Sequence, residues 1–411
     1  MISKQQTPQI RFTGFSEDWV QKKLVDEVIF FSGLTYRPSD VVDKLGTLVL
    51  RSSNVQKGAI TLGDNVYVKS EVVNSQNVEV GDIIVVVRNG SRNLIGKHAM
   101  ITKSMTNTVI GAFMTGIRAP VPSFFNTLLD TQEFDDEVSK NLGATINQIT
   151  GGMFKSMSFY LPESNEQTAI GNLFRNIDQT IALQRRKHQQ TQTLKKSLLS
   201  KMFPKKGQMQ PEIRLEGFSG DWVETKLGDK GYCKSGIGFA INEQNGKVGI
   251  PFYKVSDMNL TGNEIIMNKA RSYVTNDQVS HNKWSVFTEL PSIIFAKVGA
   301  AVMLNRKRLI LKEYLSDNNM MSYILGEEWD CYFCKLIFEN IYLPNLSQVG
   351  ALPSINARDV EGLMILIPDL KKEQTAIGEC FKQLDDTISI QAKQLKTLDN
   401  LKKALLAKMF V

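Results

Sequence analysis

Residues 166–203 read EQTAIGNLFRNIDQTIALQRRKHQQTQTLKKSLLSKMF, and residues 373–410 read EQTAIGECFKQLDDTISIQAKQLKTLDNLKKALLAKMF. The second stretch restates the first 207 positions later, so the chain is internally duplicated, and a duplication of this kind governs any fold reading. Neither stretch holds a proline or a β-branched run that would stop a helix, and Ser164 with Gln167 fits a capping box. Prolines 162 and 368 precede the two stretches and Pro204 follows the first. The spacing predicts helices over about 164–203 and 369–410. In the second, Ile377, Phe381, Leu384, Ile388, Leu395, Leu398, Leu405 and Met409 recur at 3,4 spacing, broken mainly by Gln391 and Lys402. That is a coiled-coil seam. The first keeps Ile170, Phe174, Ile177, Ile181, Leu198 and Met202 in frame around a polar centre, QRRKHQQTQ. Gln184 and Gln391 match across the copies and read as register-setting residues. At 1.5 Å per residue each helix spans roughly 57 Å. Two helices of equal length with near-twofold internal symmetry are expected to pair antiparallel.

A second duplicated segment opens each half. Residues 8–24, containing GFSEDWV, return as residues 211–227, containing GFSGDWV, at an offset of 203. Between these bookends, over about 30–142 and 231–349, the copies diverge. The expected fold class is α+β: two globular domains separated by an antiparallel pair of long coiled-coil helices, pseudo-twofold and cyclic in organisation. Domain 1 is set at 1–150, the first shared helical region at 151–207, domain 2 at 208–356 and the second helical region at 357–411. The first helix leads through KMFPKKGQMQPEIRLEGF into domain 2, whereas the second stops at KMFV, where a like connector would lead back to MISKQQTPQIRFTGF. The termini are therefore expected to lie close together.

Composition narrows the class. A chain of 411 residues with 42% hydrophobic residues and no low-complexity tract is long enough for two cored domains. Its longest apolar runs fall far short of the ~20 residues that span a bilayer. The polar opening MISKQQTPQIRF does not resemble a signal peptide, so a cytoplasmic protein without membrane attachment is expected. Cys331 and Cys334 make one CxxC in WDCYFCKLIF, with no second pair of ligands, so buried thiols are expected and no metal site. The net charge of +7 is compatible with a polyanionic partner.

Echoes persist inside the divergent regions. Ser32 and Gly33 match Ser235 and Gly236, and Arg51, Ser53 and Asn54 match Lys254, Ser256 and Asp257. DIIVVVRNGSRNLIGKH from Asp82 parallels SIIFAKVGAAVMLNRKR from Ser292, with Arg88 set against Lys297 and Gly90 against Gly299. Each is an apolar strand that runs into a polar or basic turn, where glycine lets the backbone approach a partner and a basic side chain reaches a phosphate or base edge. DNA recognition needs both contacts, because phosphate pairing supplies affinity and groove-edge hydrogen bonds supply discrimination. The candidate contact residues are Arg51, Asn54, Arg88, Asn89, Arg92 and Lys97 in the first half. In the second they are Lys254, Asp257, Lys297, Arg306 and Arg308.

No catalytic centre emerges. GSRNLIGKH separates Gly90 and Gly96 by five residues and puts His98 where a phosphate-binding loop needs Ser or Thr. Glu212 and Glu224 caricature a nuclease pattern, but the first copy has Gln9 and Gln21 there. An amino-methyltransferase would need Asn or Asp before Pro-Pro and an aromatic residue, and Pro-Pro does not occur. None of the three histidines has an evident nucleophile partner.

PEIRLEGFSGDWVETKLGD entering a domain, SIIFAKVGAA within it, and EQTAIG leading to LKKALLAKMF resemble the specificity subunit of type I restriction-modification enzymes. The resemblance covers essentially the whole chain. It implies two target recognition domains, each reading one half of a split double-stranded DNA site, and helices that set the spacer and dock two methyltransferase subunits. It implies no cofactor in this chain: S-adenosylmethionine, ATP and magnesium belong on partner subunits, among them two restriction subunits. The assembly would be an adenine-N6 DNA methyltransferase and ATP-dependent endonuclease. The first copy departs from the family's basic-Gly-Ala turn with Arg88, Asn89, Gly90 and Ser91. The readings set against it are a DNA-binding coiled-coil regulator or scaffold, and a DNA nuclease.

Overall fold

The computed structural model describes residues 7–142, 147–347 and 352–411. Met1, and with it the meeting of the two chain ends, lies outside the described residues, as does Val349 at the edge of the second divergent region. The chain divides into two compact units, one of Met1–Arg186 with Ala392–Val411 and one of Lys187–Gln391. Each unit therefore takes part of both long helices, which run over Ser164–Lys201 and Lys371–Met409.

The first unit is built on a four-stranded antiparallel sheet in the order Ile29–Ser32, Met114–Arg118, Ile83–Val86, His98–Met100. Strand Ile83–Val86 is buried at every position, as an unbroken apolar run predicts for a strand covered on both faces. Its side chains alternate, with Ile83 and Val85 in the core that holds Trp19 and Phe124, and Ile84 and Val86 in a second core with Leu50 and Ile110. The second unit repeats the sheet order with Gly231–Ser235, Met320–Leu325, Ser292–Ala296 and Lys307–Ile310. A second sheet, of four strands in the first unit and three in the second, includes Thr47–Leu50 or Ile250–Tyr253, and each of these strands has one parallel neighbour.

The matched glycines link the two sheets. After strand Ile29–Ser32 the chain passes Gly33, and Leu34 N–H donates to the Ile110 carbonyl at 2.7 Å. A Cβ on Gly33 would sit 2.0 Å from the Gly111 carbonyl oxygen, and one on Gly236 would sit 1.9 Å from that of Asp317. Only glycine permits this approach of two backbones.

Each unit closes on the end of the helix that started in the other half of the sequence. In the first, Phe410 lies 5.9 Å from Trp19, 5.7 Å from Phe124 and 6.1 Å from Phe174, between ring centroids. In the second, Phe203 lies 5.7 Å from Trp222, 5.6 Å from Phe333 and 6.5 Å from Phe381. The entering segments are pinned alike: Ile10 N–H donates to Lys408 O, and Ile213 N–H to Lys201 O, both at 2.9 Å. Arg11 forks onto the buried Glu166 with two 2.7 Å bonds, and Arg214 onto Glu373 with two of 2.8 Å.

Within each unit the two long helices run antiparallel. Asp178 meets Lys402 and Arg185 meets Asp399 in the first, and Thr191 meets Gln391 and Lys195 meets Asp385 in the second. The residue predicted to break the seam, Lys402, holds Asp178 of the neighbouring helix and Asp130 of the globular part, both at 2.7 Å. Lys195 does the same with Asp385 at 2.7 Å and Glu339 at 3.5 Å. The capping box expected at Ser164 is not formed. Ser164 is already helical, and Gln167 N–H bonds to the Glu163 carbonyl at 2.9 Å.

The pairing of Arg88 with Lys297 is corrected by one residue. Val86 pairs with Met114 as Ala296 pairs with Met320, and Ile149 N–H bonds to Val87 O as Ile355 N–H bonds to Lys297 O. Lys297 thus corresponds to Val87, Arg88 to Val298, and Asn89 to Gly299. A one-residue insertion beyond the strand hid the shift, which reverses the side on which a side chain points. Among the described residues no helix is long and apolar enough to cross a membrane, and no group of three or more His, Cys, Asp or Glu is placed to hold a metal ion. Cys331 and Cys334 are free thiols on helix Cys331–Asn340, Cys334 buried and Cys331 partly so.

Candidate nucleic-acid interface

Strand Thr47–Leu50 ends in a tight turn that fixes the first basic candidate. Arg51 N–H donates to Asn54 Oδ1 at 2.9 Å, and Asn54 N–H returns to the Arg51 carbonyl at 2.9 Å. The second unit repeats the turn after Ile250–Tyr253: Lys254 N–H donates to Asp257 Oδ2 at 2.8 Å and Asp257 N–H to Lys254 O at 2.9 Å. Asn54 and Asp257 are both wholly buried. Asn54 spends its amide on the Thr61 and Asp64 carbonyls at 3.0 and 3.2 Å, and Asp257 also receives Arg271 N–H at 3.2 Å. The structure places both side chains inside the turn as its struts. Asn and Asp accept from their own backbone as readily as they read a base, so residue type alone did not separate the two roles.

The Asn54 strut carries Asp64 to the cleft, where its carboxylate takes Arg51 Nη2 at 2.8 Å. Across from it, strand Ile83–Val86 delivers Arg88 and Asn89. The Arg88 guanidinium lies over the Phe113 ring, 4.9 Å from its centroid. The peptide is tied down on both flanks: Val87 and Arg88 N–H reach Phe113 O at 3.0 and 3.2 Å, and Asn89 N–H reaches Asn147 O at 3.2 Å. Asn89 donates from its amide to Ser52 Oγ at 3.0 Å, and Asn147 from its amide to Gly90 O at 3.0 Å.

These groups line one cleft of about 1140 Å³ in the first unit, with Tyr36, Pro38 and Val66 among its apolar walls. Arg51, Arg88 and Asn89 are therefore brought together. Arg92 and Lys97 are exposed on the turn beyond, outside the lining. Asp64, Ser52, Phe113 and Asn147 were not singled out in the sequence. Phe113 had no signal beyond an aromatic residue in a glycine-bounded turn.

The second unit does not gather its candidates in this way. Lys254 lies 5.5 Å from the Phe239 centroid with its ammonium on Gln244, and Lys297 donates to Ser235 Oγ at 2.9 Å. Arg306 is held by Asn259, and Arg308 turns inward, donating to Asn263 O at 2.6 Å and Lys307 O at 2.8 Å. Burial lowers the pKa of Arg308, with the charge of Arg306 acting in the same direction. A cavity of about 450 Å³ between Ile250 and Lys312 includes none of the five.

The cleft offers fork-shaped donors, amide groups and a carboxylate on a rigid floor. Such groups can donate to and accept from the edge of a base.

Comparison with known proteins gives these features a family. The type I restriction modification DNA specificity domain matches twice, over residues 17–193 and 219–400. The type I restriction enzyme StySPI specificity subunit of Salmonella potsdam is 24% identical, covering 96% of this chain and 89% of that protein. The EcoKI specificity subunit of Escherichia coli K12 gives the same figures, 24%, 96% and 89%. The S subunit of a type I restriction-modification system from M. genitalium shares the fold at a TM-score of 0.66 and 15% identity, over 98% of this chain and 99% of that one. The chain belongs to the family of type I restriction-modification DNA specificity proteins.

Proposed function

We propose that each globular part reads one half of a bipartite double-stranded DNA site and that the paired helices set the spacer between the halves. The observation that carries this reading is the contrast between frame and content. The aromatic closures around Phe410 and Phe203, the Arg11–Glu166 and Arg214–Glu373 forks and the Lys402 and Lys195 bridges repeat almost residue for residue. The basic surfaces they support share only the capped turn at Arg51 and Lys254. One mounting carrying two different surfaces suits one task done on two unlike targets.

In this reading the chain performs no chemistry. Its helices dock two methyltransferase subunits, which bind S-adenosylmethionine and methylate adenine at N6. Two restriction subunits complete an assembly that uses ATP and magnesium and cleaves unmodified DNA. The complex works in the cytoplasm. The test is the methylome of the host with and without this chain. A bipartite adenine-methylation motif that disappears on deletion supports the reading, and an unchanged methylome refutes it.

A further inference from the structure

The first unit's cleft holds two arginines in opposite states. Arg51 is neutralised by Asp64 at 2.8 Å, whereas Arg88 is exposed and pairs with no carboxylate among the described residues. The Arg88 guanidinium rests on the Phe113 ring, so its plane is set and its edge N–H groups remain available. Stacking of this kind preorganises the planar fork, and less side-chain freedom is lost when the fork engages a ligand. The backbone on either side is fixed by the bonds to Phe113 and Asn147.

A phosphate is the ordinary partner of a surface arginine, but this cleft disfavours one. The Asp64 carboxylate, 66% exposed, cancels the charge of Arg51 in the same lining, so a phosphate would meet a single unpaired cation there. The neighbouring Asn89 and Asn147 amides are anchored, which suits a flat ligand edge that bears both acceptors and donors. Guanine presents two acceptors, O6 and N7, at the spacing of one arginine fork.

We propose that Arg88 reads a guanine in the half-site addressed by the first unit, an assignment that rests on the half-site reading given above. The corrected register sharpens it. The residue at the Arg88 position in the second unit is Val298, followed by Gly299, so that unit has no guanidinium there and reads its half-site by other means.

The test uses the full chain with its methyltransferase subunits, as wild type, Arg88→Ala and Arg88→Lys, with the methylome of each host as readout. Both variants are expected to keep the spacer and the second half-site; Arg88→Ala loses the requirement for one guanine in the other half, and Arg88→Lys, whose ammonium can still donate to O6 and N7, weakens it. The loss of discrimination is about 5- to 150-fold, the range for one bidentate pair. An Arg88→Ala motif identical to wild type overturns the proposal in favour of a phosphate contact. Because a variant can fail to assemble, the wild-type complex is also tested on duplexes in which each guanine of its motif is replaced in turn by 7-deazaguanine, which lacks the N7 acceptor. One replacement, in one half-site, is expected to weaken binding about tenfold, and no effect at any guanine overturns the assignment. A wild-type host without a bipartite motif would instead refute the half-site reading itself.

Discussion

At the scale of single residues, the duplication marked positions whose reasons only the structure supplies. Gly33 and Gly236 matched in sequence because each sits where two backbones nearly touch, 2.0 and 1.9 Å from where a Cβ would lie. Gly33→Ala is expected to destabilise the first unit by about 3 kcal/mol, the upper part of the range for overpacking. Chemical denaturation followed by fluorescence should show it, and Gly236→Ala should act likewise on the second. Asn54 and Asp257 match for an equally local reason, the capped turn that each holds. The strand register placed Lys307 opposite Phe295, as it placed His98 opposite Val85. Lys307 donates to Ile341 O at 2.6 Å, and burial pulls its amine down to about 8 from its ordinary 10.5. Between those values Lys307 holds fewer protons folded than unfolded, so its contribution to stability rises with pH across that window. The stability difference between wild type and Lys307→Met is expected to shift in favour of the wild type as pH rises from about 8 to 10.5.

At the scale of elements, helix positions were legible and their bonds were not. The 3,4 spacing located both long helices within two residues at each end, because periodicity reports a buried stripe directly. Lys402 read as an interruption of that stripe, since an ionic bridge between elements leaves no periodic trace. It joins helix to helix and helix to domain. Burial pushes the Asp130 carboxyl up, but His98 at 3.4 Å and Lys402 at 2.7 Å outweigh it and hold the group down to about 2. A carboxyl held low stabilises the fold above its ordinary value of 3.8, and that contribution is lost as pH falls through about 2. Lys402→Met removes the bridge and leaves Asp130 and Asp178 facing one another. The expected loss is about 2 kcal/mol at neutral pH. The gap between variant and wild type should narrow below about pH 4 as the carboxyls protonate, and melting curves at both pH values check it.

At the scale of the whole molecule, the sequence displayed a two-part frame in its repeats, while the surfaces stayed hidden because divergence erases the comparison that revealed the frame. The exchange of helix ends between units was legible only as a formal hint in the KMF repeats. The paired bonds Ile10–Lys408 and Ile213–Lys201 give the hint a physical basis. A permutant opened between Phe203 and Gln210, with the old termini joined by a short linker, is expected to keep its fold and DNA binding. Circular dichroism and binding to the wild-type site would check this, and an unfolded product would count against the cyclic design. The same exchange sets a timetable for synthesis. The second unit, Lys187–Gln391, is one continuous stretch, whereas the first awaits Ala392–Val411. A chain growing from its N-terminus makes the first unit's sheet early and cannot seat Phe410 against Trp19 until that late segment has been made. The unit begun first is therefore completed after the second, and a ribosome that stops before Phe410 leaves that hydrophobic seat open to chaperones and proteases.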